Sequence, residues 1–291
     1  MSAKPLRTKL VEFCGHQPLL RPFWRMTRDL LVVERSPFVN IYHCCTQKTA
    51  SQWFRAVFSD PVMIRHTGLD PEPYVALGLR QARIEEPLPP RTVGVHLYID
   101  HPTYAALPKA EPYRSFYVLR DPRDLVVSWY FSARFSHARN PTVLEMRAAL
   151  EKLDEKEGLK YIIDKIAEFG TFEAQLSWVE APPDPHVRIF RYEDLAADNA
   201  AFLARLLDWL EIHLRPDEFE GLARRNSFER LSHGRKQGEE ATRSHYRKGV
   251  AGDWKNHFDA EIAAHFRAVT GDLVERLGYA EEAPRTVAAG S

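Results

Sequence analysis

Apolar positions along this chain follow two rhythms that alternate. Short β-rich runs, "FVNIYHCC" (38–45), "RTVGVHLYID" (91–100), "RSFYVLR" (114–120) and "HVRIFR" (186–191), predict buried strands. Between them the period changes to that of a helix. Residues 50–59 place Trp53, Phe54, Val57 and Phe58 on one face, and Asp60-Pro61 ends that helix. Asp121 caps a second helix with Pro122 in its first turn, 142–170 is largely helical, Asp198 caps "AAFLARLLDWLEI", and helical patterning resumes at 259–277. Strands alternating with helices predict an α/β fold: a single three-layer α/β/α domain over 38–279 with a largely parallel central sheet. Residues 1–37 read as a lead-in or cap, and 280–291 as a frayed tail. The proline-rich stretch 70–92 reads as a loop-rich excursion around a short helix, and "YEDL" (192–195) as the loop that follows the strand at 186–191. Residues 232–256 hold four glycines, Gly234, Gly238, Gly249 and Gly252, and read as a long functional loop.

Charge narrows the partners. Lys+Arg and Asp+Glu both number 40 in the 291 residues, so the formal net charge is zero, whereas a dedicated nucleic-acid binder carries a basic excess. No nucleic-acid partner is expected. No run approaches the ~20 apolar residues of a membrane span, and the first residues lack the apolar core of a signal peptide. The expectation is a soluble, cytoplasmic protein. Cys14, Cys44 and Cys45 make an odd set with no zinc spacing and read as buried free thiols; adjacent Cys44 and Cys45 would point to opposite faces of a strand.

Ligands on open parallel sheets bind beyond the carboxyl ends of the strands. Lys48, His96, Arg120 and Tyr192 all fall at or just past expected strand ends. "IYHCCTQKTASQW" (41–53) runs from strand to helix through Lys48, where unpaired amides and the helix dipole favour an anion, and Thr49, Ser51 and Gln52 add side-chain donors. It is either a phosphate site or a plain turn, because the glycines of a Walker loop are missing. Arg120 and Ser128, at the start of the next helix, could clamp a second anion. His96 is a base or a hydrogen-bonded core histidine. Arg247 and Lys248 precede Gly249, which lets the backbone approach a ligand. Trp53, Tyr192 and Phe228 lie near these elements, as core or as a platform.

Taken together, these motifs resemble the cytosolic-type sulfotransferases that use 3′-phosphoadenosine 5′-phosphosulfate (PAPS). "QKTASQW" (47–53) is similar to their P-K-S-G-T-T-W loop and "RDPRDLVVS" (120–128) to R-[ND]-P-[KR]-D-x-x-x-S. "GVHLY" (94–98) corresponds to K-T-H-L-P, while "YEDL" (192–195), "SF" (227–228) and "RKGVAGDWKN" (247–256) have direct counterparts, all in family order. The resemblance implies a P-loop-containing nucleotide hydrolase-like fold and in-line transfer of a sulfuryl group from PAPS to an acceptor hydroxyl or amine, with release of adenosine 3′,5′-bisphosphate (PAP).

By that resemblance Lys48 and the amides of Thr49, Ala50, Ser51 and Gln52 hold the 5′-phosphosulfate. Arg120, Ser128, Arg247, Lys248 and Gly249 hold the 3′-phosphate, while Trp53, Tyr192 and Phe228 flank the adenine. His96 would be the general base, and Lys48 would neutralise charge on the bridging oxygen as the phosphate leaves. No metal is expected. The acceptor is expected to be a small molecule, with a carbohydrate or lipid acceptor, or a catalytically silent PAPS-binding protein, as alternatives. The chain departs from the family at four places. Ala50 stands for the loop glycine, Gln52 for a threonine, and Gly94 for the lysine two residues before the histidine. Asp259, Ala260 and Ala264 occupy key positions of the family dimer motif, which leaves the oligomeric state open.

Overall fold

A computed structural model describes residues 30–73, 79, 85–138 and 140–280. Its chain order is β1 (Asn40–Cys45), α1 (Ser51–Phe58), α2 (Pro61–Thr67), β2 (Asp70–Pro73), β3 (Thr92–Tyr98), α3 (His101–Ala106), β4 (Tyr113–Leu119) and α4 (Pro122–Phe131). There follow α5 (Pro141–Leu150), α6 (Glu155–Glu168), α7 (Thr171–Val179), β5 (Val187–Arg191) and α8 (Tyr192–Ala197). The chain continues through α9 (Asn199–Trp209), α10 (Pro216–Arg225), α11 (Phe228–Leu231), α12 (Ala260–Thr270) and α13 (Leu273–Arg276).

The five strands pair in the order β2-β3-β1-β4-β5, all parallel. Central β1 is buried along its whole length, as a strand covered on both faces must be. Side chains at 41 and 45 join Trp53, Phe54 and Val57 of α1 and Phe202 and Leu206 of α9 in one core cluster. Those at 42 and 44 join residues of α4, α6 and α12 in the other. Cys44 and Cys45 therefore do face opposite layers, and both are free and buried. Each large side chain so buried contributes roughly 1.5–3 kcal/mol of transfer free energy.

The chain leaves β1 toward β3 and β2, then returns to place β4 on the other side of β1. The loops after β1 and β4 thus diverge at the carboxyl edge of the sheet, where this architecture opens a crevice. Asp121 caps α4 by accepting from the Arg123 amide at 2.9 Å, and Pro122 fits the first turn because it has no N–H to lose. After Phe131 the helix widens into a π-turn over Ser132–Ser136.

Three expectations are corrected. The stretch Asp70–Pro73 is an edge strand rather than a loop; its prolines are tolerated because an edge strand leaves half of its ladder unpaired. "YEDL" opens a helix rather than a loop. His96 does not end its strand, which continues to Tyr98. The short helix expected within 70–92 falls largely on residues outside those described. So do the tail beyond Ala280 and the lead-in before Leu30; residues 30–37 contain no helix.

Candidate active site

The turn after β1 is unusual for a loop with no glycine, since both Lys48 and Ala50 lie in the left-handed region, at φ 70° and 62°. An L side chain there costs roughly 1–2 kcal/mol. Ala50 is the N-cap of α1 and offers no side-chain cap, so the first amides of the helix depend on other partners. Across the crevice, the Arg120 guanidinium donates to the Lys48 carbonyl at 2.8 Å. It also lies 4.1 Å from the centre of the Tyr192 ring, and its own carbonyl accepts from Gln175 Nε2 at 2.7 Å. Arg120 Nε is buried without a partner.

The remaining cations come from the loop before the short 3₁₀ turn at Asp253–Asn256. Lys248 Nζ donates to Asp253 Oδ1 at 2.5 Å, and Arg247 pairs with the other oxygen of the same carboxylate. The Arg247 guanidinium lies 4.4 Å from the centre of the Phe131 ring. Burial opposes the ionisation of Asp253, but hydrogen bonds from His257, Lys248, Arg247 and Asn256 outweigh it and hold the carboxyl far below its usual range. Gly249 has φ 71°, and an added Cβ would sit 2.3 Å from Phe228 Cδ2. Only glycine lets this backbone lie against that ring. Trp53 Nε1 donates to the Asn226 carbonyl at 2.8 Å, fastening α1 to the turn that presents Phe228.

These groups border one large cavity of about 1550 Å³. Lys48, Ala50, Ser51, Gln52, Trp53, His96, Arg120, Ser128, Tyr192, Phe228, Arg247, Lys248 and Gly249 all line it. Thr49 does not line it. Its side chain is fully buried, and its hydroxyl donates to the Thr46 carbonyl at 2.7 Å. Any anion in the loop can therefore meet only the backbone of that residue.

Electrostatics mark the same place. Burial first, then the charges of Arg120 and Arg247, lowers the Lys48 pKa to about 7. Cations crowded at the edge of a cavity in this way suit an anionic ligand. Burial, followed by Arg55, lowers His96 to about 4, so its imidazole is neutral near pH 7. His96 Nδ1 is buried without a hydrogen-bond partner.

Several contributors were not assigned from sequence. The Tyr98 hydroxyl donates to Ser51 Oγ at 3.2 Å, and its ring centre lies 5.5 Å from that of His96. Tyr98 stands where the resemblance has proline. Asp124 accepts from the amides of Gly252 and Trp254 at 2.6 and 2.8 Å, tying α4 to the cationic loop. Glu193 accepts from the Asp121 amide at 2.9 Å and so ties α8 to the same corner. All three lay inside quoted motifs, Tyr98 as the last residue of "GVHLY", and that was the available signal. A Cβ on Gly94 would meet Leu88 and Leu97, so that position faces apolar core rather than the cations. The cavity is also lined by Leu79, His137, Val143, Met146, Phe169 and Tyr246.

Among the described residues no group of three or more His, Cys, Asp or Glu side chains is placed to hold a metal ion, and no helix is long and apolar enough to cross a membrane.

Comparison with known proteins gives a consistent result. The family described as Sulfotransferase domain matches residues 10–278. A rabbit (Oryctolagus cuniculus) amine sulfotransferase is 28% identical over 216 residues, covering 68% of this chain and 66% of that protein. A zebrafish (Danio rerio) protein, sulfotransferase 6B1, is 26% identical over 66% of this chain and 63% of its own. The chain thus spans just under two thirds of the length of these relatives. Among solved structures, mouse sulfotransferase SULT7A1 complexed with PAP superposes with a TM-score of 0.56 at 18% identity, over 85% of this chain and 88% of that one. Retinol dehydratase in complex with retinol and PAP gives 0.53 at 16% identity, over 94% and 95%.

Proposed function

The chain belongs to the sulfotransferase domain family, and on that premise we propose that it moves a sulfuryl group from PAPS to a hydroxyl or amine of a small acceptor. One observation carries the proposal. Lys48 from the end of β1, Arg120 from the end of β4, and Arg247 and Lys248 from the distal loop border a single cavity that His96 also lines. PAPS needs two anion sites, one for the 5′-phosphosulfate and one for the 3′-phosphate. Lys48 with the amides of residues 49–52 suits the first. Arg120, Ser128, Arg247, Lys248 and the Gly249 amide suit the second, with Trp53, Tyr192 and Phe228 about the adenine.

In this scheme the acceptor oxygen or nitrogen attacks sulfur in line while the neutral His96 imidazole takes its proton. The bond from sulfur to the bridging oxygen breaks, and Lys48 offsets the charge that grows there as PAP departs. A site that only held PAPS would have no need of an unpartnered histidine in the same cavity, which disfavours the silent-binder reading. Leu79, Trp129, Val143, Met146 and Phe169 are among the other lining residues, beside polar ones such as His137 and Asn140, and this apolar group favours an apolar acceptor over a carbohydrate.

The two anion assignments are separable by calorimetry. Arg120→Ala is expected to weaken PAP by about 10–100-fold, the loss of a charged hydrogen-bonding partner, and to leave adenosine 5′-phosphate within about threefold. Equal weakening of the two nucleotides would move the 3′-phosphate away from Arg120.

A further inference from the structure

β3 carries one residue more than β1 opposite it. Tyr42 pairs with Gly94 and Cys44 with Leu97, so His43 alone faces Val95 and His96. The extra residue is taken up at His96, whose φ of 50° lies in the left-handed region. An unbroken strand would put residues 94, 96 and 98 on one face. Instead Leu97 packs on the Gly94 side, in the cluster with α4 and α6, while Tyr98 packs against the opposite one. The bulge frees His96 from both layers. A bulge re-aims a side chain, and a non-glycine residue with positive φ persists only where its surroundings hold it there.

The holding contact comes from the residue across the ladder. The His96 amide donates to His43 Nδ1 at 3.2 Å. His43 is fully buried, stacked on Phe116 with ring centres 4.8 Å apart and tilted against Phe54 at 4.2 Å. Its Nε2 is buried and has no partner. A leucine or phenylalanine would fill such an apolar slot without leaving a polar nitrogen unsatisfied. What the imidazole adds is one acceptor at Nδ1, which requires the neutral tautomer protonated on Nε2. Burial, then the neighbouring His96, pushes its pKa well down and favours that neutral form.

We infer that His43 is a positioning residue for the transfer reaction: by accepting the amide hydrogen of residue 96, it fixes the left-handed backbone that turns the His96 imidazole into the cavity. The kinetic consequence rests on the proposed role of His96 as base; the structural one does not.

Three variants separate the contributions. His43→Asn places an amide oxygen near the Nδ1 position, His43→Gln reaches instead toward the Nε2 position, and His43→Leu offers no acceptor. For each full-length variant, kcat, the KM for PAPS, PAP affinity and long-range ¹H–¹⁵N histidine spectra are recorded. His43→Gln and His43→Leu are expected to lower kcat about 10–100-fold, the scale of a misplaced catalytic group, with PAP affinity and KM within about threefold of wild type. His43→Asn is expected to recover most of that loss. The spectra of the wild type are expected to show His43 as the neutral Nε2–H tautomer near neutral pH.

Wild-type kcat in His43→Gln or His43→Leu, equal impairment of all three variants, or an Nδ1–H tautomer at His43 would each overturn the inference. If His43→Leu does not fold, the contrast between the two amides still decides it. If His96→Ala proves fully active, the base assignment fails separately. The inference about His43 is then judged by its tautomer and by whether the His96 resonances shift in His43→Gln but not in His43→Asn.

Discussion

The ammonium of Lys48 shares its surroundings with the guanidinium groups of Arg120 and Arg247, and burial with those two charges brings its pKa to about 7. Without an anion the group is therefore largely neutral at pH 8. A bound phosphosulfate or phosphate favours the charged form, so its pKa rises on binding and a proton is taken up. PAP affinity should accordingly fall as pH climbs above 7. Calorimetry at pH 8 in buffers of different ionisation enthalpy should register uptake approaching about one proton per PAP bound, and Lys48→Arg should abolish it. No uptake in the wild type would mean that Lys48 stays charged without a ligand. Ala50 shows how far the sequence could speak at this scale. Its alignment with a glycine of the resembling loop signalled a special backbone position. That it adopts φ 62°, with Lys48 also left-handed, follows from packing that no local pattern encodes.

Motifs that read as binding signatures prove, between elements, to be equally architectural. Within "RDPRD", Asp121 caps α4 and pairs with Arg123, whose guanidinium lies 3.9 Å from the centre of the Trp254 ring. Asp124 holds the amides of Gly252 and Trp254. Asp124→Ala would strand the buried Trp254 N–H and the part-buried Gly252 N–H and should destabilise the fold by about 2–4 kcal/mol. The cationic loop loosens with it, so PAP should bind roughly tenfold or more weakly, each kcal/mol of lost order lowering affinity several-fold. Denaturant titration with and without PAP reads both effects; a stability change under about 0.5 kcal/mol would show that the loop is held elsewhere. β1, β4 and α4 were legible because central parallel strands read as continuous apolar runs and Asp-Pro is a strong helix start. β2 was not, because Asp70-Pro71-Glu72-Pro73 has no strand propensity and pairs only because β3 presents it with an edge, Asp70 opposite Thr92. The bulge at His96 was hidden as well, since hydrophobic alternation shows which residues are apolar but not where a partner strand is one residue short.

Over the whole molecule, strand order places the candidate site: with β1 at the centre and the chain departing on both sides, the loops bearing Lys48 and Arg120 flank one crevice, and Arg120 reaches across it to the Lys48 carbonyl. The far end of the chain serves the same site, since the loop bearing Arg247 and Lys248 is anchored through Trp254 to α4 before α12 closes over α6. Asp259, one of the positions that departs from the dimer motif, is used within the chain; it caps α12 and pairs with Lys156 at 3.0 Å. The account as a whole stands on sulfuryl transfer dependent on His96. It is tested most directly by incubating the wild type and His96→Ala with ³⁵S-labelled PAPS and a panel of apolar phenols, alcohols, amines and sugars, with PAP affinity measured in parallel. Labelled product should form with at least one apolar hydroxyl or amine. His96→Ala should lose about 10²–10⁴-fold in rate while binding PAP as the wild type does. Transfer by His96→Ala at the wild-type rate would contradict the account.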